Sequence, residues 1–167
     1  LLTGVYASSI DCAPMLVLGG ASAVHEIGRD TFQEVDQMSI MRPVCKYLHR
    51  PTKAARYPEI ISTAYRQSQS GRPGPVYIDV GGDVLYEEVE EEAINPATRS
   101  RGKSRPAAEH LVVENALRML SKAEKPLMFA GGGAFFSGAS EELKRFVDLT
   151  SIPFYTAPMS RGLVPED

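Results

Sequence analysis

Short apolar runs closed by glycine recur along the first half of the chain. Met15-Leu16-Val17-Leu18 ends in Gly19-Gly20, which predicts a buried parallel strand running into a tight loop. Between Pro58 and Ser70, the residues Ile60, Ile61, Ala64, Tyr65 and Ser68 fall on one face of a helix, and Gly71 stops it. Pro75-Val76-Tyr77-Ile78-Asp79-Val80 predicts the next strand, again followed by a glycine pair, Gly81-Gly82. Strand, helix, strand with glycine at the strand ends is the pattern of a doubly wound α/β sheet.

The pattern breaks after residue 85. Glu87, Glu88, Glu90, Glu91 and Glu92 gather on one side of Asn95-Pro96, and Arg99, Arg101, Lys103 and Arg105 on the other. Opposed charge blocks with proline and no apolar period predict a solvated linker over 86–107. Periodicity then resumes. Val113, Ala116, Leu117 and Leu120 give a helical stripe from about Ala108 to Ala123, and Leu127-Met128-Phe129-Ala130 gives a strand entering Gly131-Gly132-Gly133. Leu143, Phe146, Val147 and Thr150 mark a further helix, and Ile152-Pro153-Phe154-Tyr155 a further strand. The expected fold is therefore α/β with doubly wound, mostly parallel sheets in two partial domains joined by a charged linker. The chain opens on Leu1 without an initiator Met and closes on a turn-like Gly162–Asp167, so an internal slice of a larger enzyme is expected.

Composition narrows the function classes. Hydrophobic residues make up 43% and charged residues 23% of the 167, the balance of a globular protein. A net charge of −3 gives no general attraction to nucleic acid or to an acidic membrane surface. No apolar run approaches the ~20 residues of a membrane span. Cys12 and Cys45 have neither metal-ligand spacing nor the density of a disulfide scaffold, and are expected to be buried thiols in a reducing compartment. His25, His49 and His110 have no matching ligand spacing, so no metal site is expected among them. No nucleophile elbow or reactive-cysteine signature occurs.

Two segments could carry chemistry. In Gly131-Gly132-Gly133-Ala134-Phe135-Phe136-Ser137-Gly138 the glycines either let backbone approach a phosphate or merely make a tight strand-to-helix turn. Gly28 to Gln37 gathers polar and acidic groups after the first strand, where ligands of open α/β sheets bind. Taken alone, Glu34 and Asp36 are better read as solvated loop residues.

Together these segments resemble a known family. Phe32-Gln33-Glu34-Val35-Asp36-Gln37, Arg42-Pro43-Val44-Cys45-Lys46 and Ser70-Gly71-Arg72-Pro73-Gly74-Pro75-Val76-Tyr77-Ile78-Asp79 are similar, in order, to thiamine-diphosphate enzymes of the acetolactate synthase group. That group includes 2-hydroxyacyl-CoA lyase, oxalyl-CoA decarboxylase and benzaldehyde lyase. Ala123-Glu124-Lys125-Pro126, the glycine triplet and Gly162–Asp167 resemble the start of its central domain.

The resemblance implies that residues 1–85 are the C-terminal half of a pyrimidine-binding domain and 108–167 the N-terminal half of a central nucleotide-binding, Rossmann-like domain. It places the cofactor-activating glutamate upstream of Leu1 and the motif for Mg²⁺ and diphosphate downstream of Asp167. Within the chain it implies that Gln33 is catalytic, its amide able to hydrogen-bond a developing oxyanion, and that Phe32 lines the same pocket. It implies that Arg72 contacts a bound nucleotide, FAD or another adenine nucleotide, beside Gly131, Gly132 and Gly133. The family usually has proline where Gly81 stands, and its acyl-CoA branch often has lysine where Gly132 stands. The second departure favours carboligation of 2-oxo acids over a CoA-thioester substrate. Further expectations are thiamine diphosphate and Mg²⁺ as cofactors, a homodimeric or homotetrameric parent, and the cytoplasm, or an organelle where a transit peptide precedes the chain. The same segments leave open a 2-hydroxyacyl-CoA lyase or oxalyl-CoA decarboxylase activity, and a non-catalytic nucleotide-binding module.

Overall fold

A computed structural model describes residues 1–32, 34–94 and 106–164. The chain divides into two compact units, Leu1–Gly102 and Lys103–Asp167. The centre of the expected linker, residues 95–105, lies outside the described residues. At its start Glu87 is exposed, and its Oε2 accepts the Ala54 N–H at 2.6 Å.

The first unit is a three-stranded parallel sheet in the order β1-β3-β2, formed by β1 (Met15–Ala21), β2 (Tyr47–His49) and β3 (Pro75–Gly81). Register sets the two faces. Val17, Tyr77 and Leu48 align across the strands, as do Leu16, Val76 and Tyr47. On the first face Val17 and Tyr77 pack with Val5 of α1 (Leu2–Ile10) and Met41 of α2 (Gln37–Met41). On the second, Val76 and Ile78 pack with Ile60 and Ala64 of α3 (Tyr57–Gln69). Helices on both faces of a parallel sheet make this unit doubly wound.

α3 lies within one residue of its predicted start and end, buries Ile60, Ala64 and Ser68, and leaves Tyr65 exposed. Gly71, at φ +58°, takes the left-handed turn that ends it. The first glycine pair behaves differently from the prediction. Gly19 and Gly20 lie inside β1 rather than in a loop after it. Gly19 makes room for a side chain: a Cβ there would sit 2.6 Å from Tyr77 Cε2. The second pair straddles β3, which Gly81 closes, and α4 (Gly82–Leu85), which Gly82 opens. Gly81 adopts φ −67°, the value to which a proline is locked, but an added Cβ would sit 3.0 Å from Asp83 Oδ1 and 3.3 Å from Val24 Cγ2, so glycine relieves crowding here.

Cys45 is half-buried, and burial pushes its thiol up to about 11, which keeps it protonated near neutrality. Cys12 is also half-buried rather than buried, at φ 55°.

The second unit has two parallel strands, β4 (Met128–Ala130) and β5 (Phe154–Thr156), with α5 (His110–Ser121), α6 (Gly132–Ser137) and α7 (Ser140–Thr150). Its core holds Ala130, Ile152, Leu163 and Val164, closed by Ser160, whose hydroxyl lies 2.6 Å from the Ala130 carbonyl. The predicted stripe on α5 is little covered, with Val113 44% and Leu117 50% exposed. Two three-residue strands offer that helix little apolar surface. Among the described residues no helix is long and apolar enough to cross a membrane.

Candidate functional site

In the first unit the segment after β1 turns back across the carboxyl ends of the parallel strands. Its shape comes from carboxylates. Glu34 accepts the Gly28 N–H at 2.5 Å through Oε1 and the Thr31 N–H at 3.1 Å through Oε2, which closes the 28–34 loop. Gly28 at φ +81° and Asp30 at φ 52° provide the left-handed positions of that loop. Asp36 caps α2 by accepting the Ser39 N–H at 3.0 Å. Glu34 and Asp36 are therefore bonded into the loop, not merely solvated. The loop is exposed and leads into a helix as expected; the backbone donors it satisfies are invisible without loop geometry.

These bonds hold both acids ionised. The Gly28 and Thr31 amides pull Glu34 below its ordinary value of 4.5, and Ser39 pulls Asp36 below 3.8. Across the sheet end, Asp83 is lowered chiefly by the Val24 N–H, with His25 3.1 Å away adding to it. A carboxylate with a depressed folded pKa stabilises the fold above its unfolded value and loses that contribution as pH falls through the folded one. Thermal melts should thus be flat above the ordinary values of 4.5 and 3.8 and fall away below them. Glu34→Gln should flatten that acid limb. An unchanged limb in the variant would show that Glu34 does not tie the loop.

A cavity of ≈ 250 Å³ opens here, its walls including Ser22, Ile27, Gly28, Glu34, Asp36 and Arg50. It lies where open parallel sheets bind ligands, outside the carboxyl ends of the strands. Arg50, just after β2, is ion-paired with Asp79 of β3, whose side chain is fully buried. One guanidinium already facing a carboxylate is too little positive charge to hold a diphosphate.

The predicted site residues fall in both units. Gln33 lies outside the described residues. Phe32 is 88% exposed and is not part of the cavity wall. Arg72 donates from Nε to Cys12 Sγ at 2.8 Å and from Nη2 to the Ser9 carbonyl at 3.3 Å, tying its turn to the end of α1. Gly131, Gly132 and Gly133 belong to the second unit, at the carboxyl end of β4. Only Gly131 lies outside regular structure, since Gly132 and Gly133 open α6. None of the triplet takes a positive φ; the left-handed glycine is Gly138, which ends α6 at φ 68°. Added Cβ atoms at Gly131 and Gly133 would meet nothing within 4 Å, so the triplet keeps open space at the strand end.

The histidines form local pairs. His25 lies beside Asp83 and His110 3.1 Å from Glu114, while His49 stacks on Tyr47. Among the described residues no three metal-ligating side chains cluster. Sequence reasoning missed the buried pair of Arg50 and Asp79. The available signal was an acid inside the apolar run of β3, since a buried charge has to be paired.

Comparison with known proteins gives the same direction for both units. Residues 113–167 match the thiamine pyrophosphate enzyme, central domain. A "Probable acetolactate synthase large subunit" of Methanococcus aeolicus is 35% identical over 170 residues, covering 100% of this chain and 28% of that protein. A "2-hydroxyacyl-CoA lyase" of Arabidopsis thaliana is 34% identical, over 99% of this chain and 30% of the relative. A "Glyoxylate carboligase" of Escherichia coli O157:H7 is 34% identical, over 100% and 28%. The chain thus spans less than a third of the length of these relatives.

Proposed function

The chain belongs to the thiamine pyrophosphate enzyme family, and from that premise we propose that it is a segment of a carboligase or lyase acting on 2-oxo acids. The observation that carries the proposal is similarity over 100% of the chain to an acetolactate synthase, with a polar cavity at the carboxyl ends of the first sheet. Residues 1–85 would supply the pyrimidine side of the cofactor site and 108–167 the start of the central domain, with 86–107 between them. Thiamine diphosphate would supply a carbanion able to add to a carbonyl. The cavity residues of this chain would hold its uncharged ring, with Ser22 and the loop amides shaping the wall. Diphosphate and Mg²⁺ would be held by residues of the full-length protein outside this chain.

Gln33 is assigned the amide that meets the substrate carbonyl, and Phe32 the apolar neighbour beside it. Arg72 and Gly131, Gly132 and Gly133 are assigned to an adenine nucleotide, FAD in the acetolactate synthase-like case. That role requires Arg72 to exchange its present bonds to Cys12 and Ser9 for the ligand. Glycine rather than lysine at 132 favours a 2-oxo acid over a CoA thioester. A homodimer or homotetramer in the cytoplasm completes the proposal. Turnover of 2-oxo acids by the full-length protein tests it. In the same assay the 167-residue chain alone, given thiamine diphosphate and Mg²⁺, is expected to form no acetolactate above blank. Reproducible product from the isolated chain would contradict the division of labour.

A further inference from the structure

The first unit contains a polar network centred on fully buried Asp79 and Tyr77, neither of which has a role above. Asp79 is fully buried, yet it is engaged on both carboxylate oxygens. Arg50 reaches Oδ2 through Nε at 2.5 Å and through Nη2. The Tyr77 hydroxyl lies 2.8 Å from Oδ1 and 3.2 Å from Gln37 Oε1, so its one proton is shared between two acceptors. Gln37 Nε2 donates to the Gly20 carbonyl at 2.7 Å. The bonds run from β3 to the residue after β2 in one direction, and through Tyr77 to the start of α2 and the end of β1 in the other.

Stability is a weak reason for such a network. Buried ion pairs can often be replaced by apolar groups at no loss, whereas removing one partner alone is costly. What the network does hold is geometry. Arg50 lies in the cavity wall, and Gln37 follows Asp36, which lies in the same wall. Gly19 leaves the lane through which Tyr77 reaches them.

We propose that Asp79 is a positioning residue: through Arg50, and through Tyr77 and Gln37, it fixes the cavity wall formed by Arg50 and Glu34–Asp36 in one arrangement. The inference rests on the proposed function, because this wall belongs to the cavity assigned there to the uncharged ring of the cofactor.

Tyr77→Phe in the full-length protein is the test, since it removes the hydroxyl and keeps the ring. Activity with pyruvate, thiamine diphosphate titration and hydrogen exchange are measured on the same sample. The expected result is thiamine diphosphate affinity weaker by roughly tenfold, with kcat at saturating cofactor within about threefold. Amides of residues 34–41 should exchange faster, while those of β3 stay unchanged. If Tyr77→Phe fails to fold, Gln37→Ala at its partly exposed position decides by the same readouts. Wild-type thiamine diphosphate affinity with wild-type exchange at 34–41 overturns the inference. Gln33→Ala runs alongside: if it alone is without effect, the proposed site fails, and the exchange data still decide the network.

Discussion

Gly19→Ala should destabilise the first unit strongly, although it adds a single methyl group. The new Cβ would lie 2.6 Å from Cε2 and 2.7 Å from Cζ of Tyr77, well inside contact distance. Tyr77 is fully buried between Val17, Val5 and Met41, so the ring has nowhere to retreat without opening the core. Overpacking costs about 1–3 kcal/mol, and pulling the hydroxyl off Asp79 adds roughly 1–3 kcal/mol for the unsatisfied buried group. A total of roughly 3 kcal/mol lowers the melting temperature of a unit this size by about 10 °C or more. Gly20→Ala is the matched control, because its Cβ would meet nothing within 4 Å. Thermal melts of both variants decide the point. Equal midpoints would mean that Tyr77 does not occupy the lane over Gly19.

Gln33→Ala in the full-length protein should cut kcat by on the order of 10²-fold, with thiamine diphosphate affinity little changed. An uncharged amide beside the reacting carbonyl stabilises charge that appears only in the transition state, so its loss falls on kcat rather than on ground-state binding. A loop residue without a catalytic role would leave kcat within about twofold of the parent. A residue needed only for folding would lower kcat and cofactor binding together. Steady-state kinetics and a cofactor titration on one preparation separate the three outcomes.

The parallel α/β fold was legible because its strands are continuous apolar runs and α3 has a clean period with Gly71 after it. The missed elements are those whose stability comes from neighbours. β2 is only Tyr47-Leu48-His49, with no glycine beside it, and exists through its register with β3. α1 has no side-chain cap and contains Gly4 and β-branched Val5, so its helix depends on burying Val5 under the sheet. The glycine pair in β1 was misread because sequence cannot distinguish glycine for a turn from glycine for close approach; only the Tyr77 ring settles that. The cavity was half legible. Its acidic segment was placed at the strand ends, but Arg50 joined it only through a buried partner on a different strand. Family resemblance alone singled out Gln33 and Arg72, and it added a nucleotide role to a glycine triplet already marked by its place at a strand end.

The most direct measurement is acetolactate formation by the full-length protein from pyruvate, before and after stripping thiamine diphosphate and Mg²⁺. The account predicts turnover that vanishes on stripping and returns when both are restored. It is contradicted if the stripped protein keeps its full activity, or if the restored protein neither binds thiamine diphosphate nor converts any 2-oxo acid.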